Sequence, residues 1–591
     1  MNKGIIAGLV IAAVAAAGGG YYLQQQSAVG GGESSLSYVP TDTLIFSGAL
    51  EPASWQDNFA VLQTRWQGLI PEPAQLQSEL DKLAKELDGE GQSADAGLRM
   101  LLGLYGEFAT ALQRGEQAPA ALGLGDKVDQ AFYTVGALPV LRVKLADEAA
   151  FDRFIQAAEA RFQAKGETAA LDGVSYRSYP FAADGEFPLA LVLAKQAGFA
   201  VLTLDTGDLI PVEQGLKPAL GLVKPAHSLA DSDLLPQLVK QHGFEPFALG
   251  YLNHLGLVQG ITRADSPLAQ LVDKLSHGQA SQELAPWRSQ GCQQDLEGMA
   301  ALWPRTLFGY TKLERSAAGL SLGTAGKLES TDAAAMTELQ KLQGFVPKDA
   351  KGLLAVNLGL NVDALAPVLS QLWGRATQAS FSCEPLVALQ QDLKQSNPAM
   401  LGMMTGMIQG LQGIGVELQD LKLGAEDPQS ELPKIEALSF TAHVSASKPE
   451  QLWGMLGMLD PQLAQLPLPA EGQSVDLPLP PMFPLPQGVK LARYGQHLAL
   501  YSGEAGAARA AAIGQQPLTG NGLYQMHLDY GLLADVLDKA LDEVPEDAQA
   551  KAEQAQLLQQ FEQLRGVTLD SRLDLARDGV VVSADMQVPK G

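Results

Sequence analysis

The sequence predicts an α+β protein: an N-terminal transmembrane helix followed by two similar α+β domains in tandem duplication, each an antiparallel sheet covered by helices. Three observations carry that prediction. The first 26 residues contain one uncharged stretch, Gly4 to Leu23. At 591 residues the chain is too long for one hydrophobic core. A series of strand and helix patterns in the first half also recurs, in the same order, in the second half.

A helix needs about 20 apolar residues to cross a hydrocarbon core of about 30 Å. Gly4 to Leu23 supplies that length, and Tyr21 and Tyr22 stand where an aromatic belt would sit. Lys3 is the only charge ahead of the stretch, which keeps the N-terminus in the cytoplasm and sends everything after Gln24 across the membrane. The competing reading is a cleaved signal peptide, because Ala15-Ala16-Ala17 before Gly18 offers the small residues a processing enzyme accepts. The expected layout is an anchor or signal at 1–26 and a flexible linker at 27–37, centred on Gly30-Gly31-Gly32. A first domain over 38–330, a connector over 331–343 and a second domain over 344–591 follow.

Composition narrows the function classes. An apolar fraction of 46% with 18% charged residues is globular. With 66 acidic against 41 basic residues the formal charge is −25, which repels nucleic acid and acidic headgroups alike. No nucleic-acid partner is expected, and contact with the inner membrane is expected through residues 4–23. Cys292 and Cys383 are the only cysteines, and neither sits in a C-x-x-C or a zinc-ligand spacing. They are candidates for one long-range disulfide in an oxidising compartment; as two buried small apolar side chains they would need no bond.

The repeat is read from local chemistry. Tyr38-Val39-Pro40-Thr41-Asp42 and Phe345-Val346-Pro347-Lys348-Asp349 each place an aromatic before Val-Pro-x-Asp, where Pro fixes φ and Asp caps the turn, and an apolar strand follows. Trp-containing helical patterns come next, Trp55 to Leu69 and Val362 to Trp373. The alternating strand Val140 to Leu145 leads into a helix over Glu148 to Phe162, with Phe151, Phe154 and Ile155 on one face. Its counterpart is Leu438 to Val444 leading into Pro449 to Leu459, with Leu452, Met455 and Leu456. Paired strands flank turns at Gln196-Ala197-Gly198 and Gly495-Gln496, and final hairpins turn at Gly319 and Gly579. Unequal spacing gives the first copy a surplus, which the sequence reading assigns to about Gly256 to Pro304.

Three regions are candidates for function. Met400, Met403, Met404 and Met407, joined by Met455 and Met458, could line an apolar groove, since flexible thioethers suit varied apolar partners; the same residues would serve equally as a core helix. Pro461 to Pro486, where leucines alternate with prolines, reads as a docking arm or as an ordered loop packed on its domain. The seven histidines are scattered and accompany no G-x-S-x-G, H-E-x-x-H or phosphate loop, so no catalytic, metal or cofactor residue is assigned.

With its N-terminal helix and the module starts Val39 to Asp42 and Val346 to Asp349, the chain resembles the single-anchor envelope proteins of Gram-negative bacteria classed as domains of unknown function. The resemblance implies a single-pass protein of the bacterial inner membrane with its bulk in the periplasm, and it transfers no active site. The expected function is a membrane-tethered periplasmic binding or scaffold protein with an envelope partner. A carrier or chaperone for lipid or unfolded envelope protein, and an envelope hydrolase, are the alternatives.

Overall fold

The computed structural model describes residues 33–589 apart from 53, 56–76, 79, 83–84, 86–95, 182–188, 397, 399–404, 427–432, 460–464, 478–484, 486, 542–557, 559–560 and 563. The chain divides into two compact units between Glu314 and Arg315. Among the described residues no helix is long and apolar enough to cross a membrane, and Gly4 to Leu23 lies outside them.

The first unit holds β1 (Ile45–Gly48), β2 (Gln130–Val135), β3 (Leu138–Lys144), β4 (Glu167–Leu171), β5 (Val174–Pro180), β6 (Ala190–Gln196), β7 (Phe199–Asp205), β8 (Leu249–Asn253) and the greater part of β9 (Arg305–Ser316). Their antiparallel pairings run in the order β4-β5-β6-β7-β3-β2-β1-β8-β9. The β4–β5 hairpin closes through Asp172 and Gly173, both at positive φ (47° and 84°), the backbone that tight hairpins need. Two helices cover one face, α1 (Ala96–Leu112) and α2 (Glu148–Phe162). Asp147 caps α2 by accepting from the Ala150 N–H at 3.0 Å. The helices cross closely because Gly103 has no side chain; a Cβ there would strike the Ala158 carbonyl oxygen. Further helices follow β8, ending in α3 (Gln290–Leu302).

The second unit contains β10 (Gly319–Glu329), β11 (Leu354–Gly359), β12 (Leu411–Glu426), β13 (Pro433–Ala446), β14 (Ser474–Leu477), β15 (Val489–Tyr494), β16 (His497–Ser502), β17 (Tyr524–Asp529), β18 (Thr568–Ala576) and β19 (Gly579–Pro589). Its antiparallel order is β14-β15-β16-β13-β12-β11-β17-β18-β19-β10. The helices used below are α4 (Val362–Gln378), α5 (Glu384–Gln395), α6 (Pro449–Leu459), α7 (Gly503–Gly514) and α8 (Tyr530–Leu541).

The α+β class, with extensive antiparallel sheet and helices, is the one the sequence predicts. The unit division differs from the expected connector at 331–343 because β10 pairs with β19 along its whole length, from Gly319↔Pro589 to Glu329↔Gly579. The surplus of the first half is also more widely spread than expected. Besides the helices after β8, the β7-to-β8 connection, residues 206–248, is about twice as long as 503–523 between β16 and β17.

Candidate functional site

The second unit's sheet has an unusual division of polarity. β11 alternates as Leu354-Ala355-Val356-Asn357-Leu358-Gly359, a pattern that ordinarily turns its large apolar residues inward. Here Asn357 is fully buried, while Leu354, Val356 and Leu358 are 36%, 36% and 46% exposed. β12 repeats the inversion: Glu417 is buried, and Ile414 and Val416 are 43% and 56% exposed. Register places Val356 opposite Val416 and Leu358 opposite Ile414, which makes one continuous apolar patch. Ala442, Val444, Leu498 and Leu500 extend it across β13 and β16, and Trp453 of α6 walls a groove of about 470 Å³. Exposed contiguous apolar surface of this kind marks interaction sites.

The opposite face, beneath α7, is polar and buried. Arg509 of α7 grips Glu417 with both ends of its guanidinium, Nε to Oε2 at 2.5 Å and Nη2 to Oε1 at 2.8 Å. Asn357 Nδ2 donates to Glu417 Oε1 and to Gln525 Oε1, each at 3.4 Å. His443 is 2% exposed and neither ring nitrogen has a hydrogen-bond partner. Burial, reinforced by His497 and Arg509, pushes its pKa down to about 3, so the ring is neutral. Ser445 Oγ lies 2.8 Å from His497 Nδ1, whose Nε2 meets the Gln516 carbonyl oxygen at 3.0 Å. This serine–histidine pair is 0% and 1% exposed, and the outer ring nitrogen is already engaged, so its geometry is that of a structural bond. At the edge of the layer His527 Nδ1 pairs with Asp570 at 2.8 Å, and that bond raises the histidine pKa.

The first unit builds its polar layer at the same places in the pairing scheme. Arg142 on β3 stands opposite Val201 and Ala131, as His443 on β13 stands opposite Ala499 and Gly415. Fully buried Arg142 donates to the Ala219 carbonyl at 2.9 Å and to Tyr133 Oη at 3.3 Å, with its guanidinium 3.9 Å from the Tyr38 ring centre. Tyr38 packs edge-on to Phe199 at 5.7 Å, and Phe345 lies 4.7 Å from His497. The aromatic of each Val-Pro-x-Asp segment therefore seals the polar layer of its own unit.

The residues singled out in the sequence are scattered relative to this geometry. Met400, Met403 and Met404 lie outside the described residues, as do 461–464, 478–484 and 486 of the Pro461 to Pro486 segment. Met407 belongs to a short 3-10 turn, Gly406–Ile408; Met455 is half-buried on α6, and Met458 is 79% exposed. Cys292 lies in the first turn of α3, its N–H held by Ser289 Oγ at 3.2 Å, and Cys383 caps α5. Both are fully buried and neither is a free thiol. His254 is held by the Trp303 carbonyl at 2.6 Å and Thr306 Oγ1 at 2.9 Å. Among the described residues no group of His, Cys, Asp and Glu could hold a metal ion. The patch at Leu354, Val356, Leu358, Ile414 and Val416 was missed by the sequence reading; its signal was Asn357 and Glu417, polar residues alternating with apolar ones in strands.

No protein-family model matches the chain, and no curated protein or solved structure shows significant similarity to it.

Proposed function

We propose that this is a membrane-tethered periplasmic binding protein, built by tandem duplication of one α+β module, which receives an apolar segment of an envelope partner on the second unit. The observation that carries the reading is the inverted burial of β11 and β12. Five large apolar side chains face outward while Asn357 and Glu417 are buried behind them, and a sheet that only had to fold would be more stable the other way round. Duplication is supported by the common pairing order and by Arg142 and His443 sharing one register position. Tethering rests on Gly4 to Leu23 and the positive-inside tendency.

The test is extraction of the full chain from its native membrane followed by mass spectrometry, with Val416→Asp as the comparison. A stoichiometric protein partner that is lost in the variant supports the reading. A partner retained by a folded Val416→Asp protein overturns the assigned surface. Lipid copurifying in place of protein supports the second reading, a carrier of apolar cargo, for which the groove beside Trp453 is the favouring observation.

A further inference from the structure

The first unit contains a cavity of about 140 Å³ between its sheet and helices α1 and α2. Leu104 and Phe108 of α1 and Phe151 and Phe154 of α2 form one wall, and Leu141 and Leu202 of the sheet form the other. We propose that this cavity is a binding site for one small neutral apolar ligand, a ring or branched hydrocarbon group of about benzene size. The proposal does not rest on the partner surface of the second unit.

Three features argue for it. Well-packed interiors leave few voids larger than a water molecule, whereas an apolar cavity of about 150 Å³ stays dry and accepts benzene or xenon. The lining is apolar throughout except for Gln130, and it contains no charged side chain, so it favours a neutral ligand with at most one polar group and rejects a carboxylate or phosphate. The third feature is the register. Leu141, Val143, Ala200 and Leu202 occupy the pairing positions that Ala442, Val444, Leu498 and Leu500 occupy in the second unit, where those residues line the apolar groove. The same face of the module is thus hollow in both units, bordered in the first by α1 and α2 and in the second by Trp453 of α6.

Ala200 supplies the decisive variant, because the second unit carries leucine, Leu498, at the equivalent position. Thermal unfolding of the full chain is followed with benzene and, separately, with benzoate. With benzene at ten times its dissociation constant, the folded-to-unfolded ratio of the first unit rises about elevenfold in the wild type. That rise is lost in Ala200→Leu, and benzoate gives none. If Ala200→Leu does not fold, Ala200→Val is read instead, and it weakens benzene binding. An unshifted wild-type midpoint overturns the proposal. So does a rise that the filled variant retains, which would put the benzene elsewhere, and so does benzoate acting as strongly as benzene.

Discussion

Arg142 and His443 hold the same position in the pairing schemes of the two units: each lies on the strand that pairs with the second arm of a β-hairpin, opposite Val201 and Ala499 respectively. Each is buried, and each packs against the aromatic of the Val-Pro-x-Asp segment in its own unit, Tyr38 or Phe345. The chemistry differs. Arg142 is satisfied in part by Tyr133, the Ala219 carbonyl and an aromatic face, whereas His443 sits uncharged near Asn357, His497 and Arg509.

The neutral state of His443 gives the second unit an acid sensitivity. An unfolded histidine takes up a proton near pH 6.5, while the folded one resists until about pH 3. Between those values the unfolded state binds the extra proton, so stability is highest above about pH 6.5 and declines as pH falls. His527 acts in the opposite sense, since its raised pKa adds stability at low pH that is lost as pH rises through the folded value. Denaturant unfolding from pH 7.5 to 4 should show a shallower acid decline in His443→Leu and a steeper one in His527→Gln.

Glu417 is fully buried, and Arg509 is its only cation at contact distance among the described residues. Arg509→Met leaves that carboxylate uncompensated and should cost about 3–5 kcal/mol. Replacing both residues with Met should restore much of the loss, because the desolvation cost disappears with the pair. Equilibrium unfolding of the two single variants and the double variant forms a cycle. Additive losses would show that the ion pair carries no coupling.

Gly415 and Ala131 are register equivalents, yet only the first must be glycine. A Cβ on Gly415 would strike Asn357 Oδ1 and would approach His443 Cε1 to 2.5 Å; in the first unit the residue at the place of Asn357 is Gly48. Gly415→Ala should therefore destabilise the second unit by about 1–3 kcal/mol. Adding Asn357→Gly should recover part of that loss, a coupling visible in the shift of the urea midpoint.

Cys292 and Cys383 are predicted to be joined to each other. Titration of the denatured, unreduced protein should find no free thiol, and two free thiols per chain would remove the bridge. Closing a loop of about 90 residues stabilises by about 4–5 kcal/mol on the chain-entropy account, so reduction should lower the unfolding midpoint.

Local patterns made several elements readable in advance: α2 with its i, i+3, i+4 face, α6, the hairpins turning at Gly198 and Gly495, and the hairpin of β18 and β19 at Gly579. β2, β8 and β17 were not singled out, because they are short and their sheet position is fixed by partners far along the chain. The apolar patch was illegible for a related reason. Alternation in β11 shows that the two faces differ, but which face turns inward depends on α7 and on Arg509, which lies far from Glu417 in sequence. Asn357 is of a residue type that is mostly exposed, and its burial follows from its partners Glu417 and Gln525, which lie far along the chain.

The pairing of β10 with β19 sets an order for assembly. β10 enters the second unit near its start, and its partner is the final strand, with Gly319 opposite Pro589. Until those last residues are available, β10 and β18 both present unsatisfied edges able to recruit strands from other molecules. Completion of the sheet is therefore a late, long-range event that slows folding, as high contact order does generally. A truncation as small as the terminal strand would expose those edges permanently, and its characteristic failure would be aggregation during synthesis.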